Sequence, residues 1–291
     1  MNERQPELND WIIMVILAIL WGASFFFIKH AVMVFSPTQM AAWRMVLATL
    51  IYVPLAVKFW RKIDWSHWPS LLIVAFCGSA IPNFLFAIAQ QHVNSSLAGI
   101  LNSLTPLFTL LIGTLFYQTK FSTHKMLGVL IGLSGASVLV AWNNKVGAEG
   151  QGFYAVLCAL ATVCYAINAN SVGRNLQKQH PAAIASAAFL ITGPLFILAL
   201  IYSGGWETAF TQPEGLSGLS YIVYLSAVGT VGGSILYFYL LQRTSTLFAT
   251  SVTYLLPVTA ILIGLADGEA IQFADILGTS IILVGLYMIR K

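Results

Sequence analysis

Ten apolar runs, each about the length that crosses a bilayer, follow one another through this chain of 291 residues. A helix rises about 1.5 Å per residue, so about 20 apolar residues span the hydrocarbon core. The runs cover roughly 11–34, 38–60, 68–90, 95–117, 122–143, 151–173, 181–203, 217–241, 246–266 and 272–290. Alternation of period 2 is absent, which argues against a membrane β-barrel. In lipid, each run must then satisfy its own backbone as a helix. The expected fold class is an all-α polytopic membrane protein with ten transmembrane helices. Only 8% of residues are charged, against about 25% in soluble domains. Too little charge remains to cover a water-facing surface. The chain reads as a single membrane domain over 1–291, with no soluble appendage.

Short connections carry turn signals at Ser36-Pro37, Asp64-Trp65-Ser66, 147–150, His180-Pro181 and Glu214-Gly215. The tail sets Arg4 against Glu3, Glu7 and Asp10, and no small-residue cleavage site follows. The run from Trp11 is therefore expected to stay as the first span rather than to be removed as a signal peptide. With the N-terminus inside, eleven Lys and Arg fall on the inner side and three, Lys29, Arg44 and Lys145, on the outer. That bias places both termini in the cytoplasm. Trp11, Trp60, Trp65 and Trp68 then flank the inner boundary, and Trp43, Trp142 and Trp206 the outer one. Trp21 alone falls near mid-bilayer. The basic residues sit at the ends of runs and form no cluster, so the net charge of +4 is a topology signal and no nucleic-acid partner is expected.

One stretch is written twice. Ser95–Gly113 and Thr246–Gly264 coincide at six of nineteen positions at a shift of 151: Ala98/Ala249, Leu104/Leu255, Pro106/Pro257, Leu111/Leu262, Ile112/Ile263 and Gly113/Gly264. Pro37 and Pro181 match at 144, and Gly135 and Gly285 at 150. The span 11–143 is thus expected to repeat as 151–290. Five helices per half is an odd number, so the second half enters from the opposite side. Such an inverted 5+5 repeat is a transporter signature, with its site between the halves near the midplane. Pro106 and Pro257 add chemistry. Proline lacks an N–H, so it frees the carbonyls of Asn102 and Thr253 four residues earlier. A freed carbonyl in lipid needs a partner. The pair reads either as structural kinks or as two walls of a substrate cavity, and the two readings are compatible.

Polar side chains at depth mark function more often in lipid than in water. The candidate substrate-binding residues are Trp21, Ser24, Asn83, Gln90, Asn102, Tyr165, Asn168, Tyr237, Thr253 and Tyr254. Asn83 and Gln90 are seven apart and share a helix face. Each residue taken singly could instead make an interhelical hydrogen bond; the set together favours a neutral amide-and-aromatic cavity. Pro106, Pro257, Lys29 and Arg44 are the gating and kink candidates. Lys29 and Arg44, near the outer ends of the first two helices, read either as snorkelling to the interface or as an outer gate or carboxylate-attracting vestibule. Gly128, Gly132 and Gly135, with Gly278 and Gly285, allow close helix packing, within one monomer or in a weak dimer.

All ten Asp and Glu lie in tails, loops or helix ends, so coupling through a membrane-embedded carboxylate is disfavoured. Cys77, Cys158 and Cys164 lie inside apolar runs as small hydrophobes. The five His sit near helix ends without metal spacing. No metal site, cofactor or intramembrane enzyme is therefore expected.

The motif Leu20-Trp21-Gly22-Ala23-Ser24, followed by Lys29 and Arg44, resembles the first helices of EamA-type proteins of the drug/metabolite transporter superfamily. So do the kinks Ser103-Leu104-Thr105-Pro106 and Leu255-Leu256-Pro257, and Gly268-Glu269 followed by Gly278 and Gly285. The likeness spans both halves. Tyr117-Gln118 departs from it, standing where the family often has Gly-Glu. The resemblance implies ten helices, a central cavity lined by the first, third, fourth, sixth, eighth and ninth, and export of small metabolites, often amino acids. The expected partners are a small-molecule substrate and the lipid bilayer, most simply a bacterial inner membrane. The alternatives are a lipid scramblase and a subunit of a membrane assembly.

Overall fold

The computed structural model describes residues 5–93, 95–143, 151–256, 258, 259, 262 and 273–290. Among these the chain is helical and contains no strand. The helices are α1 (Leu8–Val34), α2 (Pro37–Phe59), α3 (Trp65–Ala89), α4 (Ser95–Asn102), α5 (Thr105–Tyr117), α6 (Thr123–Asn143) and α7 (Gln151–Asn175). They continue as α8 (Pro181–Tyr202), α9 (Gly205–Thr211), α10 (Gly215–Arg243), α11 (Thr246–Leu255) and α12 (Phe273–Arg290). Among the described residues, six helical segments are long and apolar enough to cross a membrane: α1, Pro37–Lys62, α3, Gly152–Asn175, α8 and α10. Shorter apolar helices are Thr105–Tyr117, Thr246–Leu255 and Ile276–Ile289. Pro257, Lys145, the turn at 147–150 and Gly268-Glu269 lie outside the described residues.

Local chemistry sets several boundaries. Ser36 caps α2 by accepting from Gln39 N at 3.3 Å, Gln39 Oε1 accepts from Ser36 N at 3.0 Å, and Pro37 opens the helix. That is a capping box with proline where no N–H is needed. His180 and Pro181 open α8 in the same manner, with Ala182 N donating to His180 Nδ1 at 3.2 Å. At 64–67 the Asp64 carboxylate accepts from Ser66 N (3.0 Å) and Ser66 Oγ (2.6 Å), which pins the tight connection into α3. These bonds hold the carboxyl below its usual range. The sequence gives no sign of α9, which sits in the connection between α8 and α10.

The helices pack by small residues, as helices in lipid do. Helix α8 buries Ala182, Ala183, Ala185, Ala187 and Ala188 and lies along α2, which buries Ala41, Ala42 and Ala48. Helices α6 and α12 meet backbone to backbone at glycines. Helices α3 and α5 pack on α7, and α1 packs on α10. Large apolar side chains such as Phe116, 78% exposed, and Leu115, 72% exposed, face outward. That inverts the soluble pattern and suits a lipid surround. Tryptophans assigned to the same boundary lie together: Trp43 stacks on Trp206 with centroids 5.5 Å apart, and Trp60 lies 5.7 Å from Trp65.

Candidate functional site

Four interruptions of regular helix surround a single interior space. Helix α3 widens into a π-helical segment at Phe76–Ala80, and α10 does so at Leu225–Gly232. Helices α4 and α5 are separated at Ser103-Leu104, and α11 tightens into a 3₁₀ turn over Ser251–Leu255. π-segments and 3₁₀ stretches leave carbonyls that a regular helix would have used, and they gather at functional sites. Here they line a cavity of about 130 Å³.

The side chains that face it come from α1, α2, α3, α5, α7, α10 and α11, with Asn102 at the end of α4. Trp21 Nε1 donates to Gly229 O at 2.8 Å, taking up a carbonyl of the α10 π-segment. Its ring lies against Tyr237 with centroids 5.3 Å apart. Gly233 leaves room for that indole: a Cβ there would collide with Trp21 Nε1. Ser24 returns its hydroxyl to Leu20 O at 2.9 Å. Asn83 donates to Ala41 O at 3.2 Å. Asn168 packs over Gly78, where a Cβ would stand 2.9 Å from its Oδ1, and that oxygen has no hydrogen-bond partner.

The freed carbonyls find partners. Asn102 O accepts from Thr105 Oγ1 at 2.7 Å, and Thr253 O accepts from Ser103 Oγ at 3.0 Å. Both polar requirements set up by the prolines are thus met inside the protein, one locally and one by the other helix break.

The family model of the EamA-like transporter family matches residues 10–141 and again residues 152–291. The chain belongs to this family. It is accordingly a membrane transporter and not an enzyme. An uncharacterized transporter of Archaeoglobus fulgidus is 23% identical over 98% of this chain and 99% of its own length. The uncharacterized inner membrane transporter YedA of Escherichia coli K12 is 26% identical over 94% of this chain and 88% of its own. A solved crystal structure at 16% identity covers 97% of this chain and 96% of its own, with a TM-score of 0.73, and shares the fold.

In this EamA transporter, Trp21, Ser24, Asn83, Asn102, Tyr165, Asn168, Tyr237 and Thr253 all face the cavity. Gln90 does not. It stands just past the end of α3, about two turns beyond Asn83, buried with neither amide atom hydrogen-bonded among the described residues. Tyr254 does not either: it is fully buried toward α6, its hydroxyl donating to Val129 O at 2.9 Å over the flat of Gly132. Lys29 is exposed and outside the lining, whereas Arg44 is in it. Pro106 is buried in the first turn of α5.

Sequence reasoning missed Ser79, Phe86, Thr230 and Thr250 as lining residues. For Ser79 and Thr230 a signal existed in the Gly-containing segments Cys77-Gly78-Ser79 and Gly229-Thr230, which become π-helical. Among the described residues, no group of His, Cys, Asp and Glu could hold a metal ion.

Proposed function

We propose that this transporter exports small polar metabolites, amino acids or related compounds, by alternating access through the central cavity. The proposed architecture is ten membrane helices in an inverted 5+5 repeat, 11–143 and 151–290, acting as a monomer in a bacterial inner membrane. Both termini are cytoplasmic in this reading, by the eleven-to-three bias of basic residues.

The observation that carries the reading is that the cavity is built from equivalent positions of both halves. The α3 π-segment recurs 150 residues later in α10, and the break after Asn102 recurs 151 residues later in the 3₁₀ turn at Thr253. Trp21 and Tyr165, and Ser24 and Asn168, are each 144 apart, the interval of Pro37 and Pro181. All four of those cavity residues face the same space. The packing follows the same exchange of halves. Gly128 meets Gly285 and Gly135 meets Gly278, two contacts that the 150-residue shift turns into each other. Helix α2 packs on α8 and α6 on α12, each against its own equivalent. A pathway made of two interchangeable halves can open to either side in turn. In this scheme Pro106 and Pro257 supply the kinks, Trp21, Asn102, Asn168 and Tyr237 the substrate contacts, and Tyr254 holds α11 against α6. Lys29 anchors α1 at the outer interface.

Counterflow in liposomes tests the proposal. Vesicles holding purified protein are loaded with pooled metabolites, including all amino acids, and mass spectrometry reports what leaves relative to empty vesicles. Selective loss of one chemical class supports a carrier. Loss of nothing, with or without an imposed ion gradient, together with movement of labelled lipid between leaflets, replaces it with a scramblase.

A further inference from the structure

Arg44 stands in the cavity wall without an acid beside it. Its Nε donates to Thr230 Oγ1 at 2.9 Å and its Nη1 to Asn83 Oδ1 at 3.3 Å. Both acceptors are neutral. Among the described residues no carboxylate lies within ion-pair distance of it, and the buried acid Asp10 is engaged with Arg243 at 2.9 Å. A guanidinium carries five N–H donors in a planar fork. Two are used, which leaves three with no acceptor among the described residues. A cation drawn into a low-dielectric wall is costly unless water or an anion approaches it.

The fork is held ready before any ligand arrives. Asn83 donates to Ala41 O at 3.2 Å, which turns its oxygen toward Arg44. Thr230 is fixed in the α10 π-segment, and Ser226 Oγ of the same segment donates to Arg44 O at 3.0 Å. The rest of the cavity is of another kind. Trp21, Phe86 and Tyr237 give it apolar, aromatic walls. Asn168, 3% exposed, lines it with an amide whose oxygen has no donor among the described residues.

We propose that Arg44 is the anchor for the anionic group of the transported compound, and that the substrate class is small organic acids with one carboxylate. The carboxylate takes the free edge of the guanidinium, where charge-assisted and bidentate bonds are strongest. The apolar body lies among the aromatic rings, and a hydroxyl or amine on it donates to Asn168 Oδ1. Loading cancels the buried charge. A permanently cationic compound meets Arg44 unshielded and is rejected. This inference rests on the transporter reading and narrows its substrate class.

The test is a thermal-shift panel on the purified full chain in detergent, using small amino, hydroxy, oxo and unsubstituted monocarboxylic acids, each beside its own carboxamide. At least one acid is expected to raise the unfolding temperature while its amide does not. Arg44→Gln is expected to weaken that acid at least tenfold, Arg44→Lys to keep part of it, and Thr230→Val to weaken it less. All three variants are checked for an unchanged size-exclusion profile. The proposal is overturned if no acid stabilises the protein, if acids and amides act alike, or if folded Arg44→Gln, or Thr230→Val with Arg44→Gln misfolded, binds as the parent does. Counterflow with the same panel separates the two readings. Acids that bind through Arg44 but never cross sink transport and leave the anchor. Acids and amides that cross equally sink the anchor and leave transport.

Discussion

The hydroxyl of Ser103 donates to the carbonyl of Thr253 across 3.0 Å, tying one helix break to the other. The same hydroxyl also reaches Gly99 O at 3.1 Å. Thr253 O is the acceptor that Pro257, which has no N–H, leaves without its helical donor. Ser103→Ala leaves it only the 3₁₀ bond from Leu256 N, in a site where Ser103 is fully buried. We expect a loss of about 0.5–1.5 kcal/mol, the range of an interhelical hydrogen bond in lipid. Thermal unfolding in detergent measures it; a parental unfolding temperature would show that the bond carries no weight.

The glycine seam of α6 and α12 tolerates no side chain. A Cβ on Gly128 would stand 2.9 Å from Gly285 O, and one on Gly285 would stand 2.5 Å from Gly132 N. Backbone cannot step aside as a side chain can. Gly128→Ala or Gly285→Ala is expected to destabilise by about 1–3 kcal/mol through overpacking. Gly152→Ala is the control, because nothing lies within 4 Å of the added methyl. Equal stability of all three variants would contradict the close approach.

Flux is expected to depend on the cavity wall. Trp21→Ala removes both the bond to Gly229 O and the contact with Tyr237. Asn102→Leu and Asn168→Leu replace amides that face the space. Each is expected to lower counterflow at least about tenfold, the effect of about 1.4 kcal/mol, while the folded fraction is retained. Gly233→Ala should act similarly, by pushing the indole out of place. Full transport by the first three variants would remove the cavity assignment.

Acid should loosen the start of α8. Burial, with Lys62 and Lys58 nearby, holds the His180 ring below its ordinary value. A histidine lowered on folding favours its neutral form. Its contribution is complete above the ordinary histidine value and is lost as pH falls through the lowered one. Protonation also ends acceptance from Ala182 N. The unfolding temperature should therefore fall between pH 7.5 and 5.5. Asp64 stays ionised across that window, because its hydrogen bonds hold it below the usual carboxylate range. In His180→Asn, which keeps a capping acceptor without a titration, the fall should shrink. An unchanged fall would assign the effect to another group.

The fate of individual residues separates what was legible from what was not. That Asn102 and Thr253 need partners follows from proline chemistry, and both have them. That Ser103 would reach across to serve Thr253 does not follow, because only packing brings those helices together. Asn83 and Gln90 look alike in sequence, yet one faces the cavity and the other the helix end beyond it. Tyr237 and Tyr254 divide in the same manner, since a phenol in lipid is equally served by a cavity or by a neighbour's carbonyl such as Val129 O. Arg44 near a helix end reads equally as an interfacial anchor, an outer gate or a carboxylate-attracting group. In the fold it turns inward, where Thr230 and Asn83 meet its guanidinium.

By itself the sequence determined the solvent and the elements: with 8% charge and apolar runs of bilayer length, only helices in lipid satisfy the backbone. It also marked the helix breaks, because a missing N–H is a local fact. Tertiary structure alone decided which polar groups face the empty space and which face each other. A side chain's direction around a helix in lipid is set by its neighbours, and no hydrophobic stripe distinguishes a lipid-facing side from a protein-facing one.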